Sequence, residues 1–128
     1  MFYLSVDQAL HIHRLQTGVY GGAASLRDRG GLESAMGRPS TTFGGEDLYP
    51  DVASKAAALM HSLVLNHPFV DGNKRVGAHV AIVFVEANGW EFLATPDALV
   101  DITVGVARGD VEIGALTIWF RQRIRSGE

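Results

Sequence analysis

The sequence predicts an all-α domain of about six helices with one small β-hairpin, and three observations support this. Two long segments, 51–66 and 73–88, carry apolar residues around most of the helix axis, as buried helices do. Residues that cap helix N-termini precede several apolar segments. β-forming residues flank a single glycine-rich turn at 44–46. We therefore expect the two apolar helices to form the centre of the core.

The composition excludes several classes of protein. The 128 residues contain no cysteine, which rules out disulfides, thiolate metal sites and a cysteine nucleophile. A net charge of −3 argues against a protein held to nucleic acid mainly by neutralising phosphates. No apolar run reaches the roughly 18 residues of a membrane span, and no signal peptide is visible. We expect one domain over residues 1–128, in the cytoplasm, without direct nucleic-acid or membrane contact.

The first helix is predicted from a capping box. In segment 5–8 a serine hydroxyl can accept from the N–H of a glutamine three residues later, and the glutamine side chain can reach back. The predicted helix runs from about Val6 to Gln16, and Gly18 is the expected stop.

A glycine-rich region follows, with a short helix predicted from Gly31 to Met36. Beyond it, β-formers at 41–43 and 47–49 flank the turn 44–46, which favours a β-hairpin. An isolated hairpin is weakly stable, and its open edge can bind an extended peptide by strand addition. A surface loop without a function is the alternative.

The remaining elements are predicted from capping residues and helix stops. They are a helix from Asp51 to about Asn66, a helix from Asn73 to Asn88-Gly89, a connector or strand at Trp90–Leu93, a helix opened by Thr95-Pro96 that runs to about Arg108, a helix capped by Asp110, and a basic tail containing Arg121, Arg123 and Arg125.

The two central helices are joined through the motif segment, His67-Pro68-Phe69-Val70-Asp71-Gly72-Asn73-Lys74-Arg75. A helix N-terminus attracts anions because its first N–H groups are unpaired and its dipole end is positive. Phosphate oxygens could therefore lie against Gly72, Asn73 and Lys74. Because Lys74 and Arg75 are unfavourable beside that dipole without a compensating anion, the segment predicts a phosphate site.

The polar residues of the motif segment suit phosphoryl or nucleotidyl transfer, which depends on positioning and charge neutralisation. His67 is a candidate general base, since histidine can accept a proton near neutral pH. Asp71 offers the hard oxygen that Mg²⁺ prefers. Asn73 brings an amide donor, while Lys74 and Arg75 can bind phosphate as a point charge and as a fork. An ordinary exposed turn is the alternative, because Asp, Gly and Asn are common turn residues.

The other histidines and the aromatic ring of the motif segment are expected to pack. His11 and His13 lie two apart on a helix, so one should be solvated while the other lies at the edge of the core. His61 falls in an apolar run and is expected in the core or at its rim. His79 could border the site, with packing as its main role, and Phe69 should anchor the loop in the core.

The motif segment resembles the signature of the Fic/Doc family: histidine, any residue, phenylalanine, any residue, an acid, glycine, asparagine, any residue, arginine. Segments 26–30, 31–35, 43–50 and 88–90 also resemble its Doc branch. The resemblance implies a compact Fic-like helical bundle with the motif between two central helices and a hairpin flap across the site.

The resemblance also implies roles for individual residues. The implied catalytic set is His67 as base, Asp71 as Mg²⁺ ligand, Asn73 and Arg75. The implied cradle for the phosphates of ATP is Gly72, Asn73, Lys74 and Arg75. The implied flap that orients a target protein is Thr42, Phe43 and Gly44.

Two positions separate this chain from the adenylylating members of the family. Those enzymes usually have glycine where Lys74 stands and a second arginine where Ala78 stands. Lysine fills space beside the nucleotide α-phosphate, and the missing arginine removes a phosphate clamp. Both changes are typical of the Doc branch. The resemblance to that branch implies a kinase that phosphorylates a threonine of translation elongation factor Tu and so arrests translation.

The Doc branch also implies inhibition by a small Phd-like antitoxin bound in trans. The chain offers no convincing inhibitory helix of its own, since 42–46 has part of the required spacing but lies in the predicted hairpin. Three alternatives remain: a protein adenylyltransferase, a non-catalytic binding protein with this fold, and a metal site formed by His61, His67 and His79.

Overall fold

The computed structural model describes residues 1–127, which form six α-helices and two short antiparallel strand pairs. This confirms the predicted all-α bundle of about six helices with a hairpin. The elements are α1 (Val6–Tyr20), α2 (Arg29–Gly37), β1 (Thr42–Phe43), β2 (Glu46–Asp47), α3 (Val52–Asn66), α4 (Asn73–Ala87), β3 (Trp90–Phe92), α5 (Pro96–Ala107), α6 (Ile113–Arg121) and β4 (Ile124–Ser126).

The core is built around α3, as its apolar circumference predicts. Helices α4 and α6 make its most extensive contacts, and Phe84 and Phe120 from these two helices are fully buried. Helix α4 approaches α3 closely at Gly77, where a Cβ atom would lie 2.8 Å from Cγ2 of Val64. The close approach fixes the two helices on either side of the motif segment.

Three of the four helix starts with side-chain caps match the sequence. Ser5 and Asp51 each form a capping box, and Thr95 accepts from the N–H of Ala98. The fourth is wrong: α2 begins at Arg29, two residues before the expected Gly31, because the carboxylate of Asp28 caps it and accepts from the N–H of Gly31.

Two further boundaries are wrong. Helix α1 continues through Gly18 to Tyr20 and ends at Gly21, whose φ of 81° is the conformation that glycine adopts without strain.

The second of these further boundaries is the start of the last helix. Asp110 does not cap it; Glu112 occupies the N-cap position and α6 begins at Ile113. The reason lies in packing, because Val111 folds back against α5, where a Cβ atom on Gly105 would lie 2.7 Å from its Cγ2. This contact keeps residues 110–111 out of the helix.

The hairpin forms where the sequence predicts it, with shorter strands. Phe43 pairs with Glu46 across a turn in which Gly44 and Gly45 have φ of 62° and 84°. Positive φ at both turn residues is the conformation of a two-residue hairpin turn. Glu46 therefore belongs to β2 and not to the turn.

The expected basic tail is divided between three parts of the structure: Arg121 ends α6, Arg123 lies in the following turn, and Arg125 lies in β4. β4 pairs with β3 so that Phe92 lies opposite Ile124, and Arg125 forms an ion pair of 2.6 Å with Glu91. Among the helices of residues 1–127, none combines the length and apolar character that crossing a bilayer requires.

Candidate functional site

The motif segment starts where α3 ends, at a strained residue. His67 follows the last helical residue with φ 47° and ψ 54°, the left-handed region. Within residues 1–127 it is the sole non-glycine residue with positive φ. This conformation costs an L-residue roughly 1–2 kcal/mol, so neighbouring groups must hold it in place.

An outer segment, residues 23–28, runs beside the motif segment and pairs with its backbone. The N–H of Val70 donates to the carbonyl of Ser25 at 3.0 Å, and the N–H groups of Arg27 and Asp28 both donate to Pro68 O at 2.8 and 2.9 Å. Leu26 and Phe69 form an antiparallel bridge. The loop between α3 and α4 is therefore held as one side of a short ladder.

The inner side of the loop rests on a buried histidine of α1. His13 is 1% exposed, its Nε2–H donates to the carbonyl of Asp71 at 2.7 Å, and its ring stacks on Phe69 with centroids 3.7 Å apart. Phe69 is itself 1% exposed, which confirms it as the anchor of the loop. His11 is exposed, so the expected division between the two histidines is also confirmed.

The side chain of Asn73 braces the same loop. Its Oδ1 accepts from the N–H of Phe69 at 3.0 Å and its Nδ2 donates to the carbonyl of Phe69 at 2.9 Å. The carboxamide is thus largely committed to the backbone, and Asn73 can meet an anion best through its main-chain N–H. Its direct catalytic role stays a prediction.

The N-terminus of α4 is left open. Gly72 precedes it with φ 82°, and none of the described side chains caps this end. The first N–H groups, those of Asn73, Lys74 and Arg75, have no intrahelical carbonyl to bind. A Cβ atom on Gly72 would lie 3.5 Å from Nε2 of His13, so glycine suits both the turn and the space. This end can receive an anion.

The predicted residues of the motif segment converge on one cavity of about 500 Å³. Its wall includes His67 from the end of α3, Asp71 from the loop, Gly72 before α4, and the first turn of α4. The end of α1 and the end of α5 complete it with Tyr20, Gly21, Gly22 and Ala107.

The carboxylate of Asp71 is oriented by the outer segment. Its Oδ2 accepts from the N–H of Ala23 at 3.1 Å. Gly22 also lies close to this side chain, since a Cβ atom on Gly22 would lie 3.2 Å from the Cβ of Asp71. Within residues 1–127 nothing donates to Oδ1. Since Mg²⁺ is commonly held by one or two carboxylates together with substrate phosphates, one exposed aspartate beside an open helix N-terminus fits this ion.

Arg75 lies against the ring of Tyr20, a cavity residue that no motif in the sequence indicates. Its guanidinium carbon is 5.1 Å from the centroid of Tyr20, which also lines the cavity. Tyr20 lies 55 positions before Arg75, beyond the range of any local spacing pattern. The contact limits the directions in which the guanidinium can point.

The hairpin residues are not part of the cavity wall. Thr42, Phe43 and Gly44 are exposed, and Phe43 has 81% of its surface accessible. The hairpin is tied to α3 by the buried Lys55, whose ammonium donates to Asp47 Oδ2 at 3.0 Å and to the carbonyl of Pro39 at 3.1 Å. A role of the hairpin in orienting a target stays a prediction.

The histidines outside the motif segment do not build a metal site. His79 is exposed and contacts Gln16, and His61 is half-buried, with burial lowering its pKa. The part of the chain that the structure describes contains no group of three His, Asp or Glu side chains placed to hold a metal. The histidine alternative is therefore not supported.

The chain is similar to proteins of one family over most of its length. Residues 3–85, which include the whole motif segment, match the Fic/DOC family. The protein named Toxin Doc from Mycolicibacterium smegmatis is 39% identical over 99 residues, or 76% of each chain. The protein named Protein kinase doc from Escherichia phage P1 is 27% identical over 128 residues, the full length of both chains.

Proposed function

The chain belongs to the Fic/DOC family, in its Doc toxin branch, and we propose that it is a toxin that transfers the γ-phosphate of ATP to a protein hydroxyl. The observation that carries the proposal is the convergence of His67, Asp71 and the open N-terminus of α4 on one cavity. A base, an oxygen ligand for Mg²⁺ and an anion cradle are what such a reaction needs.

The first turn of α4 would hold the phosphates. The main-chain N–H groups of Gly72, Asn73 and Lys74 would donate hydrogen bonds to phosphate oxygens. The side chains of Lys74 and Arg75 would supply the positive charge. Mg²⁺ held through Asp71 would neutralise phosphate oxygens when bound. An anion here would also relieve the repulsion between the two cations and the helix dipole.

His67 would take the proton from the target hydroxyl. The hydroxyl oxygen then forms a bond to the γ-phosphorus while the bond from that phosphorus to the β,γ-bridging oxygen breaks and ADP leaves with that oxygen. The catalytic histidine returns the proton to solvent. The fixed main chain at His67 supports this role, because a base must lie within hydrogen-bond reach of the proton it removes.

The sequence at two positions favours γ-phosphate over adenylyl transfer. Lys74 lines the cavity where adenylylating relatives usually have glycine, and Ala78 is only 7% exposed on the core side of α4. Alanine at position 78 cannot clamp a second set of phosphate oxygens, as the arginine of adenylylating members would. The full-length similarity to a protein named as a kinase supports the same choice.

The target and the inhibitor are proposed by analogy with the Doc branch. We propose a threonine of translation elongation factor Tu as the acceptor, which would arrest translation in the cytoplasm. A Phd-like antitoxin that binds in trans would neutralise the toxin. The exposed hairpin with Thr42, Phe43 and Gly44 would orient the acceptor segment by strand addition.

The test uses ATP labelled at either the α- or the γ-phosphate, with Mg²⁺ and purified elongation factor Tu. We expect γ-label alone on the factor, lost in His67→Ala and kept in His11→Ala, a matched change at an exposed histidine of α1. Transfer of α-label would establish adenylylation instead. Transfer of neither label would contradict the proposed acceptor and nucleotide.

A further inference from the structure

The side chain of Arg27 ends on the main chain of the candidate base. Its Nε–H donates to the carbonyl of His67 at 2.9 Å, and one terminal NH₂ donates to the same oxygen at 2.5 Å. That NH₂ also lies 3.5 Å from the carbonyl of Asn66. One guanidinium thus donates to the carbonyl of the last residue of α3 and to that of the residue after it. A cation is also electrostatically favourable at a helix C-terminus.

The main chain of Arg27 is held in place as well as its guanidinium. The N–H of Arg27 donates to Pro68 O, one residue beyond the carbonyl that its guanidinium reaches. The preceding residue, Leu26, bridges to Phe69. The arginine therefore spans the turn from both ends and closes a small ring of bonds around His67 and Pro68.

A neighbouring arginine shows that this arrangement is not a general feature of the segment. Arg29 points along α2 to Glu33, with 3.9 Å between Nε and Oε1 and both side chains 59% exposed. For Arg27, the described residues offer no carboxylate within salt-bridge distance. Its donors are used on the turn instead.

We propose that Arg27 is a positioning residue that keeps His67 in the left-handed conformation and so aims its imidazole into the cavity. The assignment rests on the proposed function of His67 as base. Arg27 is absent from the cavity wall, so it acts through His67 and not on the nucleotide. Because misplacing a reacting group by about 1 Å can cost roughly 100-fold in rate, a fixed main chain here matters for chemistry.

The first experiment measures conformation and needs no activity. The ¹³Cα and ¹³Cβ chemical shifts of His67 report its φ and ψ angles, and they are compared in the parent chain, Arg27→Ala and the matched control Arg29→Ala. We expect Arg27→Ala to move the His67 shifts away from left-handed values and Arg29→Ala to leave them unchanged. Added ethylguanidinium should restore them, since the site of the missing guanidinium is open to solvent. Unchanged His67 shifts in Arg27→Ala would overturn the proposal.

A second experiment measures γ-phosphate transfer by the same proteins. We expect kcat of Arg27→Ala to fall by about 10-fold or more with an unchanged KM for ATP, and to recover with ethylguanidinium. Should Arg27→Ala fail to fold, Arg27→Gln takes its place in both experiments. A raised KM with normal kcat would contradict positioning. If the parent chain transfers no phosphate, the proposed function fails, while the chemical shifts still decide the role of Arg27.

Discussion

At the scale of single residues, His67 has a main-chain conformation that lowers the stability of the fold at the position of the candidate base. The left-handed region is free of strain for glycine and costs a side-chain-bearing residue roughly 1–2 kcal/mol. The position that ends α3 is one where glycine is the usual occupant. The candidate base thus occupies a place that the fold alone would give to glycine.

Replacing His67 with glycine should therefore raise the free energy of unfolding, by up to about 1 kcal/mol, while transfer is lost. Urea unfolding of the two proteins measures the difference. His11→Gly is the control, because His11 lies exposed inside α1 and glycine, a weaker helix former than histidine, should lower the free energy of unfolding there by about 0.3–0.5 kcal/mol. A loss of stability in both variants would show that His67 is not strained.

Phe69 gives the second prediction at this scale. Truncation of this buried ring to alanine should lower the free energy of unfolding by roughly 3–5 kcal/mol, since it leaves a cavity beneath His13. Phe43→Ala, at a ring that is 81% exposed, should change it by less than about 0.5 kcal/mol. Equal melting curves for parent and Phe69→Ala would place the ring outside the core.

The residues that act in the site could be predicted from sequence only where they are neighbours in the chain. The motif segment holds His67 through Arg75 in one run, so its chemistry was visible at once. His13 meets Asp71 over a separation of 58 residues, and Arg27 reaches His67 over 40. No local pattern carries such pairings, because they depend on how helices pack.

At the scale of elements, Lys55 controls how the hairpin attaches to the core. It is 1% exposed, whereas its partner Asp47 is 48% exposed, and its ammonium lies 5.6 Å from the ring centroid of Tyr3. β1 and β2 contain two residues each, too few for an independently stable hairpin. The hairpin therefore depends on this buried cation for its place beside α3.

Lys55→Met should loosen the hairpin with little effect on the helices. Methionine can fill the buried space but cannot donate to Asp47 or Pro39, so the N–H of Leu48, which bonds the carbonyl of Thr41, should exchange faster with deuterium. The N–H groups of α3 should keep their exchange rates. Lys74→Met makes the same change at an exposed position and is the control. Equal exchange at Leu48 in all three proteins would contradict the role of Lys55.

Three capped helix starts were predictable, whereas the cap of α2 at Asp28, within a glycine-rich region, was missed, and elements whose limits depend on packing were not predictable. Ser5, Asp51 and Thr95 each bond an N–H three residues ahead, and those starts were predicted correctly. Helix α6 begins late because Val111 packs on α5. The pairing of β4 with β3 joins residues about 34 positions apart, and charged residues around Arg125 concealed it.

At the scale of the whole molecule, an ion pair ties the start of α3 to the end of α6. Arg121 Nε lies 2.9 Å from Asp51 Oδ2, across 70 positions of sequence. Partial burial raises the pKa of Asp51, but hydrogen bonds from Arg121 and Ser54 outweigh it and lower the pKa to about 2, from an ordinary value of 3.8. The folded state therefore binds this proton less tightly than the unfolded chain does.

The stabilisation by Asp51 should be fully present above about pH 4 and disappear as the pH falls towards 2. Asp51→Asn retains a good N-cap but loses the ion pair. Its deficit in free energy of unfolding should stay below about 1 kcal/mol, because both side chains are about half exposed, and should vanish near pH 2. Urea unfolding from pH 2 to pH 7 measures this, with the exposed Asp101→Asn as control. A deficit independent of pH would show that capping, not charge, is responsible.

The close approach of α3 and α4 at Gly77 has a genetic consequence. Every missense change of a glycine codon adds a Cβ atom, and at this position that atom would collide with Val64. If cells expressing the chain stop growing, survivors selected on plates should carry substitutions at codon 77 as well as at codon 67. The two classes should differ in the amount of folded protein they retain, so the core enlarges the target for escape mutations beyond the catalytic residues themselves.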